Sequence, residues 1–347
     1  MKFKTVAYKG SKRKLLTDIE LIAEDIGART IFDGFSGTGI VSAYLRSQGY
    51  QVDGNDISES ASIFGNVFLR GYDPGVVGDV IALLNHLEPT EGWLTQNYSG
   101  NRKRKIRGTG GEVQDRPMGY TKSNAMKLDA ARDFIETLEL NEKDKNALIF
   151  SIVLAADSVF NNSNDQKSSL KEWQAKSLRE VKFEAPTLVS GFDGLQYKGS
   201  ILDVDVGPYD MVYLDPPYTH GVLYESCYHL NDSIATWNKP DLDYDYALPR
   251  PKSVCFRKNG QNAGMFYNKQ TAIECFEKMA NKFDCRRLVL SYSDAPRNTL
   301  TIDELFGIFS KRGNCYIRTK DHKICTQPSS MKKISTNLKE YFIIIDN

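Results

Sequence analysis

Between Thr30 and Arg70 the sequence alternates twice between a short apolar run and a helical period. Thr30-Ile31-Phe32-Asp33-Gly34 reads as a buried strand, and Gly37 to Gly49 as a turn and helix. Tyr50 to Asn55 alternates like a second strand, with a helix expected from about Ser58. Strand, helix, strand, helix implies right-handed crossovers and a parallel sheet, so the chain is expected to be α/β. In such a sheet, ligands bind outside the carboxyl ends of the strands.

The rest of the chain fits around that unit. Lys9 to Gly27 reads as a loop entering an amphipathic helix, with Leu15, Leu16, Ile19, Ile22 and Ile26 on one stripe. Residues 76–96 look helical, as do Asn124 to Leu140, Glu142 to Phe160 and Leu170 to Leu178. Asn97 to Thr121 reads as a long polar loop rich in Gly, Arg and Lys. Sheet signals resume at Tyr197 to Leu202, at Tyr209 to Leu214 and at Arg287 to Tyr292. Residues 219–268 read as irregular, Ala272 to Phe283 and Ile302 to Ser310 as helices. Cys315-Tyr316-Ile317-Arg318 and Tyr341 to Ile345 are expected to pair as a closing antiparallel hairpin.

Composition excludes several classes. A net charge of +1 is not the global signature of a nucleic-acid binder, so any such surface must be a local patch. The clearest basic run is Arg102-Lys103-Arg104-Lys105-Ile106-Arg107. No apolar run reaches membrane-span length, and no apolar signal region follows Met1-Lys2-Phe3-Lys4. The six cysteines include no C-x-x-C pair, so no metal site is expected, and reduced cysteines in a cytoplasm are the simplest reading.

Three motifs carry chemistry. Asp33-Gly34-Phe35-Ser36-Gly37-Thr38-Gly39 lies between a strand and a helix, where glycines let a backbone approach a ligand closely. It is not G-x-G-x-x-G, so a dinucleotide fits less well. Asp56 ends the next strand, roughly 20 residues on, where an acid can accept from ribose hydroxyls. Upstream, Tyr8-Lys9-Gly10-Ser11-Lys12 precedes the first helix, a setting that favours an anionic group. Finally, Asp215-Pro216-Pro217-Tyr218 closes a strand. Pro fixes φ and has no N–H, so the Asp215 and Pro216 carbonyls are displayed at a stiff corner beside an aromatic ring. That corner can hold a flat amine-bearing ring by its edge and its face.

In this order, the three motifs resemble the adenine-specific DNA methyltransferases of the Dam-like group, in their alpha arrangement. Leu290-Ser291-Tyr292-Ser293-Asp294 resembles that family's fifth-strand motif, and Asn337 to Ile343 its closing strand. The resemblance implies a Rossmann-like, mixed-sheet S-adenosylmethionine-dependent catalytic domain at residues 1–75 and 187–347. A mostly helical target-recognition insert would occupy 76–186. It also implies S-adenosylmethionine as cofactor, bound by Tyr8, Lys12, Asp33, Phe35, Ser36, Gly37, Gly39, Asp56 and Ser200. Lys12 would lie near the methionyl carboxylate. Gly199-Ser200, with Asp203 slightly later, stands where the family often has an acid near the cofactor's adenine.

The catalytic residues implied are Asp215, Pro216, Pro217 and Tyr218, acting on the exocyclic amine of an adenine flipped from double-stranded DNA. Arg102, Lys103, Arg104, Lys105 and Arg107 are expected to bind that DNA, with Arg250, Lys252, Arg257 and Lys258 as a second DNA-facing lid. A restriction-modification role with a cognate endonuclease, in a bacterial or phage-encoded setting, completes the expectation. The rival readings are an amine methyltransferase on cytosine or RNA, and an inactive nucleic-acid-binding module. Cytosine-amine enzymes usually carry Ser where Asp215 stands.

Overall fold

The computed structural model describes residues 3–8, 10–104, 114–162, 165–218, 224–245, 248–254, 264–266, 268–326 and 334–347. After a 3-10 turn at Lys12–Lys14 come α1 (Leu16–Glu24), β1 (Thr30–Asp33), α2 (Ile40–Ser47), β2 (Gln51–Asp56) and α3 (Glu59–Arg70). Then follow α4 (Pro74–His86), α5 (Trp93–Tyr98), the hairpin β3 (Asn101–Arg104) and β4 (Gln114–Pro117), α6 (Lys122–Glu136) and α7 (Glu142–Val159). The chain returns with β5 (Gln196–Lys198), β6 (Tyr209–Leu214), α8 (Tyr224–Thr236), β7 (Leu242–Asp243), β8 (Arg250–Pro251) and α9 (Lys269–Lys282). It closes with β9 (Cys285–Ser293), α10 (Ile302–Phe309), β10 (Asn314–Thr326) and β11 (Ile334–Asp346).

The main sheet has seven strands in the order β10-β11-β9-β6-β1-β2-β5. The five from β5 to β9 run parallel, and β11 pairs antiparallel with both β9 and β10. The central strands are apolar on both faces, as strands covered by helices on each side must be. Successive residues therefore feed different cores. Ile31, Met211 and Val289 join α1, α2, α3, α7 and α8 on one face. Phe32, Val212, Leu288 and Leu290 join α9 and α10 on the other.

Helix starts are written locally. The Ser58 hydroxyl accepts from Ala61 N at 3.2 Å and caps α3. Asp73 caps α4 with Pro74 in the first turn, where a missing N–H costs nothing. Thr301 and Glu304 form a reciprocal capping box on α10.

Four expectations are corrected. Residues 76–96 hold two helices separated by 87–92, which contains Pro89, and Gly92 lets Asp129 approach the start of α5 closely. There the buried Asp129 carboxylate accepts from Gly92 N, Leu94 N and Thr95 N. The Asn97–Thr121 segment is not a plain loop: β3 and β4 pair antiparallel, with Lys103 opposite Asp115. Leu170 to Leu178 forms turns, not a helix. Within the segment read as irregular lies α8, thirteen residues long, whose mixed polar and aromatic sequence hides its period. Its buried side packs on α3 and α7. The buried Arg132 guanidinium of α6 closes its end, donating to Ile234 O at 2.7 Å and Ala235 O at 3.2 Å. Among the described residues, no helix is long and apolar enough to cross a membrane.

Candidate active site

The site begins with a register. β1 lies between β2 and β6, and Asp33 pairs with Tyr213. Both strands thus end together, and Gly34 N donates to Tyr213 O at 2.9 Å. Strand order reverses at β1, which opens a crevice beyond the carboxyl ends. The glycine loop and the Asp215 corner both follow those carboxyl ends.

The glycine loop is tied down by its own backbone and by β2. Ser36 N donates to Asn55 O at 2.9 Å, and Gly39 N to Ser36 O at 2.7 Å. Gly37 and Gly39 have φ of 51° and 72°, the left-handed region that suits glycine. A Cβ on Gly39 would come within 2.7 Å of the buried Phe68 ring. Asp56 accepts from Gly37 N at 2.8 Å and from Ser58 N at 2.9 Å. It therefore braces the loop instead of capping α3. Burial pushes its carboxyl up to about 6, against the pull of the Ser58 and Gly37 N–H groups. Asp33 accepts from the Ser42 hydroxyl at 2.6 Å through one oxygen, while its other buried oxygen has no protein partner. Burial, opposed by Ser42 and reinforced by Asp215 and Asp56, pushes Asp33 up to about 7.

Two residues that sequence reasoning passed over hold this edge. Asn55 Nδ2 donates to Gly34 O and to Gly199 O, each at 3.2 Å, linking the ends of β1 and β5. Gln196 Nε2 donates to the Ser36 hydroxyl at 3.2 Å, with Gly54 and Gly65 closely packed against its amide.

Tyr8 stacks on Tyr228 with ring centroids 4.1 Å apart and 4° between planes, and its hydroxyl pairs with that of Tyr224. Tyr224 in turn donates to Asp56 at 3.5 Å. The Tyr8 ring lies 3.5 Å from where a Gly37 Cβ would stand. Tyr224 and Tyr228 both come from α8, and their four-residue spacing was the signal available in the sequence. Phe35 meets Phe266 edge-on at 6.0 Å. Ser200 accepts from Leu202 N at 3.2 Å and donates to Met265 Sδ at 3.8 Å.

At the corner itself Pro216 is buried, Pro217 exposed, and Asp215 and Tyr218 half-buried. Lys12 Nζ lies 2.9 Å from Asp215 Oδ1 and 3.1 Å from Glu340 Oε1. The resemblance placed Lys12 near a methionyl carboxylate; in the structure its ammonium meets two carboxylates of the protein. Burial would depress that ammonium, but Asp215, Tyr218 and Glu340 hold it well above its ordinary value. Burial raises Asp215, Lys12 pulls it back and Glu340 raises it again, leaving it at about 6. The Tyr218 ring lies 4.3 Å from Tyr292, and its carbonyl accepts from Thr299 N at 2.9 Å. The arrangement offers a carboxylate, a proline-stiffened backbone and an aromatic face at one edge of a glycine-lined crevice.

A sequence profile of the D12 class N6 adenine-specific DNA methyltransferases matches residues 8–249, which span both the glycine loop and the Asp215 corner. The chain belongs to that family. The type II methyltransferase M.NlaIII of Neisseria lactamica is 25% identical over 88% of this chain and 88% of its own. The type II methyltransferase M.CviAII of Paramecium bursaria Chlorella virus 1 is 24% identical over 98% of each. The modification methylase LlaI of Lactococcus lactis subsp. lactis is 25% identical over 97% of this chain, which spans only 54% of that longer protein. Among solved structures, magnesium protoporphyrin IX methyltransferase from Synechocystis PCC 6803 aligns over 95% of this chain and 81% of its own. At 11% identity and a TM-score of 0.35, that likeness is too loose to argue from.

This adenine-specific methyltransferase therefore takes DNA as substrate and S-adenosylmethionine as cofactor. The residues present suit that cofactor in kind: an aromatic stack, two left-handed glycines and the buried acids Asp33 and Asp56 gather at the carboxyl ends of β1 and β2. Cytosine and RNA as targets, and an inactive binding module, give way to this family assignment.

The expected DNA contacts are dispersed. Arg102, Lys103 and Arg104 lie on β3, with the Arg102 guanidinium 5.9 Å from the Tyr244 ring centre. Lys105, Arg107, Arg257 and Lys258 lie outside the described residues. Arg250 is buried and donates to Lys167 O at 3.2 Å, so it braces the fold and does not face DNA. Lys252 is exposed and 3.6 Å from Asp241.

Proposed function

We propose that this methyltransferase modifies an adenine flipped out of duplex DNA, at the corner formed by Asp215, Pro216, Pro217 and Tyr218. The observation that carries the reading is the hydrogen bond from Gly34 N to Tyr213 O, which seats the glycine loop beside the corner. Bound S-adenosylmethionine supplies an electrophilic methyl carbon on a sulfonium sulfur. Tyr8, Phe35, Ser36, Gly37, Gly39 and Asp56 are the residues to hold it, with Asp33 beneath them. Asp56 has a lone pair left for a ribose hydroxyl after accepting from Gly37 N, Ser58 N and the Tyr224 hydroxyl.

The adenine amine is a weak nucleophile because its lone pair is delocalised into the ring. Asp215 and the Pro216 carbonyl accept its two N–H bonds and hold that lone pair in line. Such positioning supplies several kcal/mol of the barrier reduction. Extrusion of the base costs a few kcal/mol. Stacking on Tyr218, about 1–3 kcal/mol per base, offsets part of it.

Residues 76–186 form the recognition part, with β3 of the hairpin gripping phosphates. The likeness to type II enzymes supports a restriction-modification role in the cytoplasm, beside an endonuclease of the same site. The test is expression in a host without adenine methylation, followed by sequencing of modified bases. A single sequence context carrying N6-methyladenine is the expected result. Unmodified DNA from cells holding folded protein would overturn the reading.

A further inference from the structure

Glu340 lies beyond the matched family region, on β11, and is almost fully buried. β11 is inserted between β9 and β10, so this residue reaches the active-site edge of the sheet from the antiparallel wing. Its Oε1 accepts from the Ser291 hydroxyl at 2.6 Å and lies 3.1 Å from Lys12 Nζ. Lys12 Nζ is in turn 2.9 Å from Asp215 Oδ1. One buried cation is thus shared by two carboxylates.

We propose that Glu340 is a positioning residue for methyl transfer, acting on Asp215 through Lys12. The inference rests on Asp215 being the acceptor for the target amine. A lone Lys12–Asp215 pair would neutralise the acceptor and free the long lysine chain to follow any motion of the corner. Glu340 draws Lys12 toward the sheet and takes part of its charge. Lys12 then holds Asp215 Oδ1 in place, and Oδ2 is left for the substrate N–H. Removing one member of a buried charged network changes how charge is shared among the others, so such side chains act as a unit. The charged and titratable groups around Asp215 are Lys12, Glu340, Asp33, Tyr213 and Tyr218. Of these, Glu340 is the carboxylate that meets Lys12 directly.

The experiment is the pH dependence of single-turnover methylation of adenine-unmethylated genomic DNA, with radiolabelled S-adenosylmethionine, for wild type, Glu340→Gln, Glu340→Asp and Asp215→Ala. Gln keeps the shape and removes the charge. The whole of the Lys12 charge then falls on Asp215. The plateau rate is expected to fall by about tenfold, and the acid limb, near pH 6 in the wild type, to move to lower pH. Affinity for S-adenosylmethionine should stay within about twofold. Asp keeps the charge on a shorter arm, so its plateau should fall while its acid limb stays close to that of the wild type. A Gln variant with a wild-type plateau and an unmoved limb overturns the proposal. So does a loss that merely follows a lowered melting temperature with the limb in place. If Gln does not fold, a wild-type plateau in the Asp variant overturns it. Full activity in Asp215→Ala would overturn the site assignment instead, which separates the two failures.

Discussion

Lys12 Nζ and Asp215 Oδ1 are 2.9 Å apart, joining the first turn of the chain to the corner after β6. This contact gives the proposed acceptor a fixed rotamer and a nearby cation in a largely dry setting. Asp215→Asn keeps the shape but turns one acceptor oxygen into an NH₂ donor. Single-turnover methylation is expected to drop on the order of a thousandfold, the scale seen when a single preorganised polar group is removed. S-adenosylmethionine binding by calorimetry should be near normal. Retained turnover would remove Asp215 from the chemistry.

Stability should fall as pH rises. Asp33 is pushed up to about 7, and Asp56, Asp157 and Asp215 to about 6, each chiefly by burial. Their folded values exceed the unfolded carboxylate value, so the native state binds more protons between about pH 4 and 7. The stabilisation is full below the unfolded pKa and is lost as pH climbs through the folded ones. Each unit of difference is worth about 1.4 kcal/mol. Urea unfolding at pH 6 and pH 8 should show the higher midpoint at pH 6. Asp33→Asn should flatten that dependence, and an equally steep slope in the variant would count against it.

Gly39→Ala meets two obstacles. Its φ of 72° is strained for any side chain, and the new methyl would press on the buried Phe68 ring. A destabilisation of about 2 kcal/mol or more is expected from strain and overpacking together. Because Gly39 is the N-cap of α2 and closes the glycine loop, S-adenosylmethionine affinity should weaken as well. Thermal melts with and without cofactor would show both effects, and an unchanged melting temperature would mean that the loop yields freely.

The β3 strand carries Arg102, Lys103 and Arg104. If these grip phosphates, changing all three to Ala removes about three counterion-release contacts. The slope of log affinity against log salt should then flatten by roughly 2–3. Titration of duplex DNA at several salt concentrations reads this directly. An unaltered slope places the phosphate grip elsewhere.

Much of this protein was legible because the signals are short-range. The β1–α2–β2–α3 unit, the glycines at 37 and 39 and the strand before Asp215 follow from hydrophobic period and from the φ that glycine and proline permit. The helix α8 was hard to read, since its buried polar and aromatic residues blur the apolar stripe, and Tyr228 and Asn231 find partners in distant segments, on Tyr8 and Gln166. Arg250 failed for the same reason: a charge in a basic stretch looks solvated until a carbonyl across the fold captures it.

The sequence by itself determined the local geometry of each motif and, through their order and spacing, the family and its chemistry. Tertiary structure alone decided which residues meet. The strand order puts β6 beside β1 and inserts β11 next to β9, so Lys12, Asp215 and Glu340 share one charge although none lies near another in the chain. Turn and helix propensities act over a few residues. Strand pairing and the matching of buried charges act between distant ones, and no local pattern encodes them.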